Sequence, residues 1–142
     1  MLLHATCIAF EGQAVLIAGP PGSGKSDLAL RLIDQGAILV ADDQTLLRAE
    51  GVKVLASAPG AIEGLLEIRH YGLIRMPHAQ AQPVALYVEL TPKAQALDRL
   101  PAAETLYLLD RPVQQLRLPA FAASTPAKIR AALLYPLVTD SA

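Results

Sequence analysis

The chain opens on an apolar stretch, Leu2 to Phe10, that stops at Glu11-Gly12 and resumes as Gln13 to Ala18. Two apolar runs parted by a turn pair predict a β-hairpin. Gly19 to Gly24 then interrupts the pattern with glycines and prolines. From Lys25 to Gln35, Leu28, Ala29, Leu32 and Ile33 recur at the spacing of one helix face, and Gly36 stands where such a helix would end. Ala37 to Ala41 is a short continuous apolar run, the mark of a buried strand, closed by Asp42-Asp43. Thr45 to Arg48 and Val52 to Ala56 flank Glu50-Gly51 as a second hairpin. Pro59 to Arg69 is expected to begin as a short helix capped by Ser57 and to run into an irregular stretch around Gly72. His78 to Pro83 reads as loop, and Val84 to Leu90 alternates as a strand. Thr91-Pro92 signals a short helix reaching Leu100. Thr105 to Leu109 and Leu116 to Leu118 are further strands. Ser124-Thr125-Pro126 caps a last helix with Ile129, Ala132 and Leu133 inward. Strands alternating with helices make this an α/β fold.

Length and composition narrow the picture. At 142 residues, with no repeat, charge block or linker, residues 1–142 are expected to form one domain. Hydrophobic residues are 53% and charged ones 18%, which excludes disorder as the dominant state. Twelve basic residues against 13 acidic ones leave no surplus to grip nucleic acid by bulk charge. No apolar run approaches the ~20 residues a membrane helix needs. The first residues lack the basic start of a secretory signal. A soluble, cytoplasmic protein is expected. The single cysteine, Cys7, rules out an internal disulfide framework and reads as a small core residue.

Gly19-Pro20-Pro21-Gly22-Ser23-Gly24-Lys25-Ser26 fits G-x-x-x-x-G-K-[ST] at every fixed position. A loop that wraps a phosphate must turn its backbone N–H groups inward, and glycines make room where a β-carbon would collide. Lys25 would reach the β- and γ-phosphates, Ser26 would offer its hydroxyl to Mg²⁺, and the helix N-terminus would favour the anion. The loop follows an expected strand and opens an expected helix, the context the motif requires. Nucleotide binding follows.

Several polar residues are candidates beside it. Asp42-Asp43 ends a strand one helix later, so the pair falls where α/β sheets place ligands. It can serve as base and metal partner, or simply start a turn. Glu67 sits within Leu65-Leu66-Glu67-Ile68-Arg69, where a charge needs a partner, either a metal or Arg69. His4 lies in the first apolar stretch, as a core or edge residue or a functional one. Arg99 reads locally as a solvated face charge.

Taken in order, His4, GPPGSGKS (19–26), SDLALRLIDQG, LVADD (39–43), LLEIRHYGLI (65–74) and LDRL (97–100) resemble the catalytic domain of HPr kinase/phosphorylase. The resemblance covers roughly residues 1 to 135. It implies the P-loop fold of the HPr kinase and PEP carboxykinase-like type, a mixed sheet with flanking helices. It also implies ATP and Mg²⁺ as cofactors, and phosphorylation of a serine on the phosphocarrier HPr. Position by position it makes His4 and Arg99 active-site residues, Lys25 the phosphate-loop lysine, and Ser26 and Glu67 the metal residues. Asp42 becomes the proton acceptor for the serine, with Asp43 its neighbour. A homo-oligomer is expected.

Three departures qualify the match. Nothing corresponding to the family's amino-terminal domain precedes His4. His70 replaces the glycine after Glu-Ile-Arg. The late P-V-x-P-G-R-N segment, tied to phosphorolysis, reads Pro119-Ala-Phe-Ala-Ala-Ser124, so kinase activity is expected and the reverse reaction is doubtful. Arg117, Lys128 and Arg130 are the candidate substitutes for the missing arginine. A small-molecule P-loop kinase and a non-catalytic ATP-binding sensor are the alternative readings.

Overall fold

The computed structural model describes residues 1–92 and 96–138. After the short β1 (Leu2–Leu3), β2 (Ala5–Phe10) and β3 (Gln13–Ala18) form the expected hairpin. Its turn residues Glu11 and Gly12 both have positive φ, 49° and 81°, the combination whose twist matches that of the flanking strands. The helix α1 (Lys25–Asp34) buries Leu28, Ala29 and Leu32. It closes where the sequence marks an end: Gly36, at φ 107°, donates to Ile33 O and the next residue, Ala37, donates to Leu32 O. Those two bonds satisfy orphan helix carbonyls, and the left-handed residue between them favours glycine.

The chain continues through β4 (Ile38–Ala41), the hairpin β5 (Thr45–Glu50) and β6 (Lys53–Ser57), and a second hairpin, β7 (Leu65–Ile68) with β8 (Gly72–Arg75). It then runs into the long β9 (Gln82–Thr91), the hairpin β10 (Glu104–Leu108) and β11 (Arg111–Pro119), and the last helix α2 (Thr125–Leu134). Among the described residues, nine strands form one mixed sheet and β7–β8 stands apart from it. β9 is the central rail: its start pairs with β6, and its remainder runs parallel to both β3 and β11. β2 lies antiparallel between β3 and β4, so β4 points the same way as β3. The carboxyl ends of β3, β4, β9 and β11 therefore share one edge of the sheet.

Both faces of the central strands are buried, with side chains alternating between them. Ile8, Phe10, Val15, Ile17, Leu86, Val88 and Leu90 pack under Leu28 and Leu32 of α1 and Ile129 of α2. The opposite face carries mostly smaller groups, Ala5, Cys7, Ala9, Ala14 and Ala18, with Leu16 and Val40, covered by Leu47, Val54 and Ala56 of the β5–β6 hairpin with Leu108 and Val113. Both helices lie on one face, and strands cover the other. Cys7 is wholly buried and burial pushes its thiol pKa up, leaving it a packing residue.

Three expectations are corrected. The helix expected from Pro59 shrinks to a single 3₁₀ turn, Gly60–Ile62, that Ser57 does not cap. Leu65 to Arg75 is a hairpin rather than helix and loop, because Leu66 is buried while Glu67 faces out, a period of two. β11 begins five residues before Leu116. Its Pro-Val-Gln-Gln start gains ladder partners from β10 across a turn at Leu109 and Asp110, φ 48° and 64°. The helix expected from Pro92 to Leu100 includes residues 93–95, which lie outside the described residues, and Asp98 to Leu100 is irregular. Ser124 does stand at the N-cap of α2 but makes no side-chain cap bond; the Thr125 hydroxyl instead donates to Pro119 O.

On β9, Tyr87 and Glu89 point to the same face, and the phenol donates to Glu89 Oε2 at 3.2 Å. Burial, then the Glu89 charge and hydrogen bond, push the Tyr87 pKa up to about 12 from 10.0. The folded state thus holds this proton more tightly than the unfolded chain. The resulting stabilisation is complete below about pH 10 and is lost as pH rises towards 12. Urea unfolding from pH 9 to 12 should show wild type losing stability relative to Tyr87→Phe; parallel pH profiles would contradict this placement.

Candidate active site

The phosphate loop leaves the carboxyl end of β3 and enters α1 without a side-chain cap. Its turn is closed by Ser23 N–H to Pro20 O at 3.0 Å. Gly24 adopts φ 98°, and a β-carbon there would lie 2.7 Å from Phe121 Cζ and 3.2 Å from Ala120 Cβ. Glycine is required at 24 for conformation and for space. Lys25 is almost buried, its ammonium donating to Gly19 O at 3.0 Å with Asp43 Oδ1 at 3.8 Å. The ammonium thus lies along the loop, held until an anion competes for it.

Asp42 joins three elements. Its Oδ1 accepts from Ser26 Oγ at 2.6 Å and from Thr6 Oγ1 at 3.0 Å, and its Oδ2 accepts from Glu67 N–H at 3.2 Å. Thr6 in turn accepts the Asp43 N–H at 3.1 Å. This bond holds Asp43 at φ 65°, a left-handed conformation that aspartate tolerates better than most residues. Thr6 is wholly buried on β2 and escaped the sequence reading. The available signal was a hydroxyl inside a strand buried on both faces, which needs a partner.

A cavity of about 450 Å³ gathers Pro21 to Ser26, Asp42, Asp43, Glu67, Arg69 and His70. The structure thus brings Gly22, Ser23, Gly24, Lys25, Ser26, Asp42 and Glu67 to one place, with Pro21 on the wall and Gly19 and Pro20 forming the loop's base. It does not bring His4 or Arg99. His4 is exposed at the bend between β1 and β2, not within a strand, and Arg99 is exposed beyond β9; neither lines this cavity. Glu67 makes no ion pair with Arg69 among the described residues, since it projects from the hairpin into the cavity. His70 takes φ 68° in the turn between β7 and β8, a conformation that a glycine would adopt freely.

The donor set suits a nucleotide and a hard cation. Ser23 Oγ is buried without a hydrogen-bond partner inside the loop, an orphan that a phosphate oxygen would satisfy. Ser26, Asp42, Asp43 and Glu67 offer oxygen only. Among the described residues no three His, Cys, Asp or Glu form a ready metal cage. Mg²⁺ commonly takes one or two protein oxygens and completes its shell with phosphates and water.

Fold and site together define a P-loop α/β domain with carboxylates beside the phosphate loop. The family model described as HPr Serine kinase C-terminal domain matches residues 1–135, and the chain belongs to that family. HPr kinase/phosphorylase of Clostridium tetani is 34% identical over 127 residues, covering 82% of this chain and 42% of its own length. The protein of that name from a Geobacillus species is 48% identical over 75 residues, 52% of this chain and 24% of its own. The chain thus spans about two fifths or less of these curated relatives. The solved Hpr(Ser) kinase/phosphatase of Coxiella burnetii superposes with a TM-score of 0.82 at 27% identity, over 94% of each chain. Among the described residues no helix is long and apolar enough to cross a membrane.

Thr6 is a positioning residue for both aspartates. Thr6→Val should lower kcat about tenfold with KM for ATP unchanged. It should also cost ~1–3 kcal/mol, because the part-buried Asp43 N–H loses its acceptor. Thr6→Ser, which keeps the hydroxyl, should restore kcat; an unchanged kcat in Thr6→Val would refute the role.

Proposed function

We propose that this domain is an ATP-dependent protein-serine kinase acting on the phosphocarrier HPr. The observation that carries this reading is the 2.6 Å contact between Ser26 and Asp42 inside the phosphate-loop cavity. It sets a carboxylate beside the place where the γ-phosphate would lie. The names of the relatives supply the protein substrate, since each is called a kinase of HPr.

The loop amides and Lys25 hold the phosphates and offset charge on the transferring oxygens. Ser26 and Glu67 would hold Mg²⁺, which would supply neutralisation of the phosphate charge. Asp42 orients the serine hydroxyl and accepts its proton as the serine oxygen bonds to phosphorus and ADP leaves. His4 and Arg99, outside the cavity, are proposed to act from the side of the protein substrate. The same reading places the enzyme in the cytoplasm and expects a homo-oligomer.

The paired test compares Lys25→Ala and Asp42→Asn, with purified HPr against a panel of metabolites as acceptors. Lys25→Ala should abolish nucleotide binding in calorimetry. Asp42→Asn should keep ATP affinity and lose transfer by ~10² or more, the usual scale for a general base. Equal transfer to a small metabolite would favour the small-molecule kinase.

Forward transfer is proposed to dominate over phosphorolysis. That reverse reaction places inorganic phosphate beside phosphoserine, two anions that repel unless cations hold them. Residues 119–124 bring Phe121 to the cavity and no cation. Arg117 is engaged by Glu104 at 2.9 Å, Arg130 by Glu11 and the Phe10 ring, and Lys128 is exposed on α2. None of these three lines the cavity; Arg69 and His70 do. Serine-phosphorylated HPr with millimolar phosphate should release pyrophosphate far more slowly than the kinase turns over, and comparable rates would overturn this point.

A further inference from the structure

A nucleotide anchored on residues 19–26 with its γ-phosphate towards Asp42 has one direction left for its nucleoside. The carboxylate follows β4, which lies beyond β2 on one side of β3. On the other side lie β9 and β11, both parallel in sense to β3, and their carboxyl ends open on the same edge. Ligands of α/β sheets lie along that edge. A base directed away from Asp42 would lie over the ends of β9 and β11.

Phe121 stands there, two residues beyond the end of β11. It is 70% exposed, an apolar ring facing water beside a strongly polar cavity. Its edge lies against Gly24, where an added β-carbon would meet Cε1 at 3.0 Å and Cζ at 2.7 Å. The backbone beneath it is pinned, because the carbonyl of buried Ala120 accepts from Arg31 Nη2, and Arg31 Nε donates to Asp27 at 3.1 Å. A second cavity of about 360 Å³ lies between α1 and the chain entering α2, with Arg31, Gln35 and Pro126 among its walls. Asp27 and Phe121 line both cavities, so the ring stands at the boundary between them.

We infer that Phe121 is the platform on which the nucleotide base stacks, with the second cavity receiving the base edge. Every base offers a π-face, and an aromatic side chain with only two rotatable bonds loses little entropy in meeting it. Asp27 and Gln35 supply an acceptor and an amide for the rim of the base. The assignment rests on the phosphate-loop reading above and adds the subsite that recognises the nucleoside. It also gives the segment 119–124 a task on this chain, in place of the cation it lacks.

Calorimetry with two ligands, Mg-ATP and Mg-tripolyphosphate, separates the base from the phosphates. Phe121→Ala should weaken ATP about tenfold and leave tripolyphosphate within about twofold. Phe121→Trp should keep ATP affinity. Since the chain has no other tryptophan, its fluorescence should be quenched by ATP and not by tripolyphosphate. Unchanged ATP affinity in Phe121→Ala would overturn the inference. Equal losses for both ligands would do the same, the ring then shaping the loop alone. A raised KM for HPr with ATP unaffected would assign the ring to the protein substrate and also overturn it. Wild type that bound ATP but not tripolyphosphate would count against the phosphate-loop reading itself.

Discussion

Three pieces of chain that fold far apart in sequence are held together by one carboxylate. Asp42 takes a hydroxyl from β2, a hydroxyl from the start of α1 and a backbone N–H from β7. Removing it would leave the buried Thr6 hydroxyl without its acceptor and the Glu67 N–H unpaired. The return bond from Asp43 N–H to Thr6 locks the left-handed turn that carries both aspartates into the cavity. Catalytic geometry and local architecture therefore depend on the same few atoms.

That arrangement needs a stiff sheet behind it, and the sorting of side-chain size across the two faces supplies one. Large aliphatics on the helix face fill the space under α1 and α2, where rods pack against a pleated surface. Alanines on the other face let the β5–β6 hairpin and β10–β11 come close. The abundance of small aliphatic residues in the composition is thus a consequence of covering one face with strands. With β3 buried on both sides, the loop that leaves it starts from a fixed point.

Electrostatic control of the cavity is local. Lys25 is the deep cation, aligned along the loop by Gly19 O and Asp43. Two other strong basic groups near this edge, Arg31 and Arg117, are engaged. Arg31 braces Ala120 and Asp27, and Arg117 grips Glu104, holding that carboxyl below the usual range. An incoming phosphate therefore meets one buried ammonium, the loop amides and the exposed Arg69, with carboxylates ready on the opposite wall.

Much of this was legible in the sequence. The glycines of residues 19–24, Lys25 and Ser26 declare a phosphate loop because few other structures need those residues at that spacing. The runs Leu2 to Phe10, Gln13 to Ala18 and Ala37 to Ala41 declare strands because nearly every residue in them is apolar. The placement of Asp42 beside Ser26 followed from a strand ending one helix later. What local pattern left open was decided by pairing. Leu65 to Arg75 carries too few residues to choose between helix and hairpin, and only the burial of Leu66, on a strand that packs against α1, settles the period. Arg111 to Gln115 is too polar to announce a strand, and β10 makes it one. Thr6 and Phe121 have ordinary neighbours in sequence; each gains its meaning from a residue far along the chain, Asp42 for one and Gly24 for the other. Sequence determines what each segment can form by itself, while contacts between distant segments depend on how the sheet orders its strands, and only the tertiary structure fixes that order.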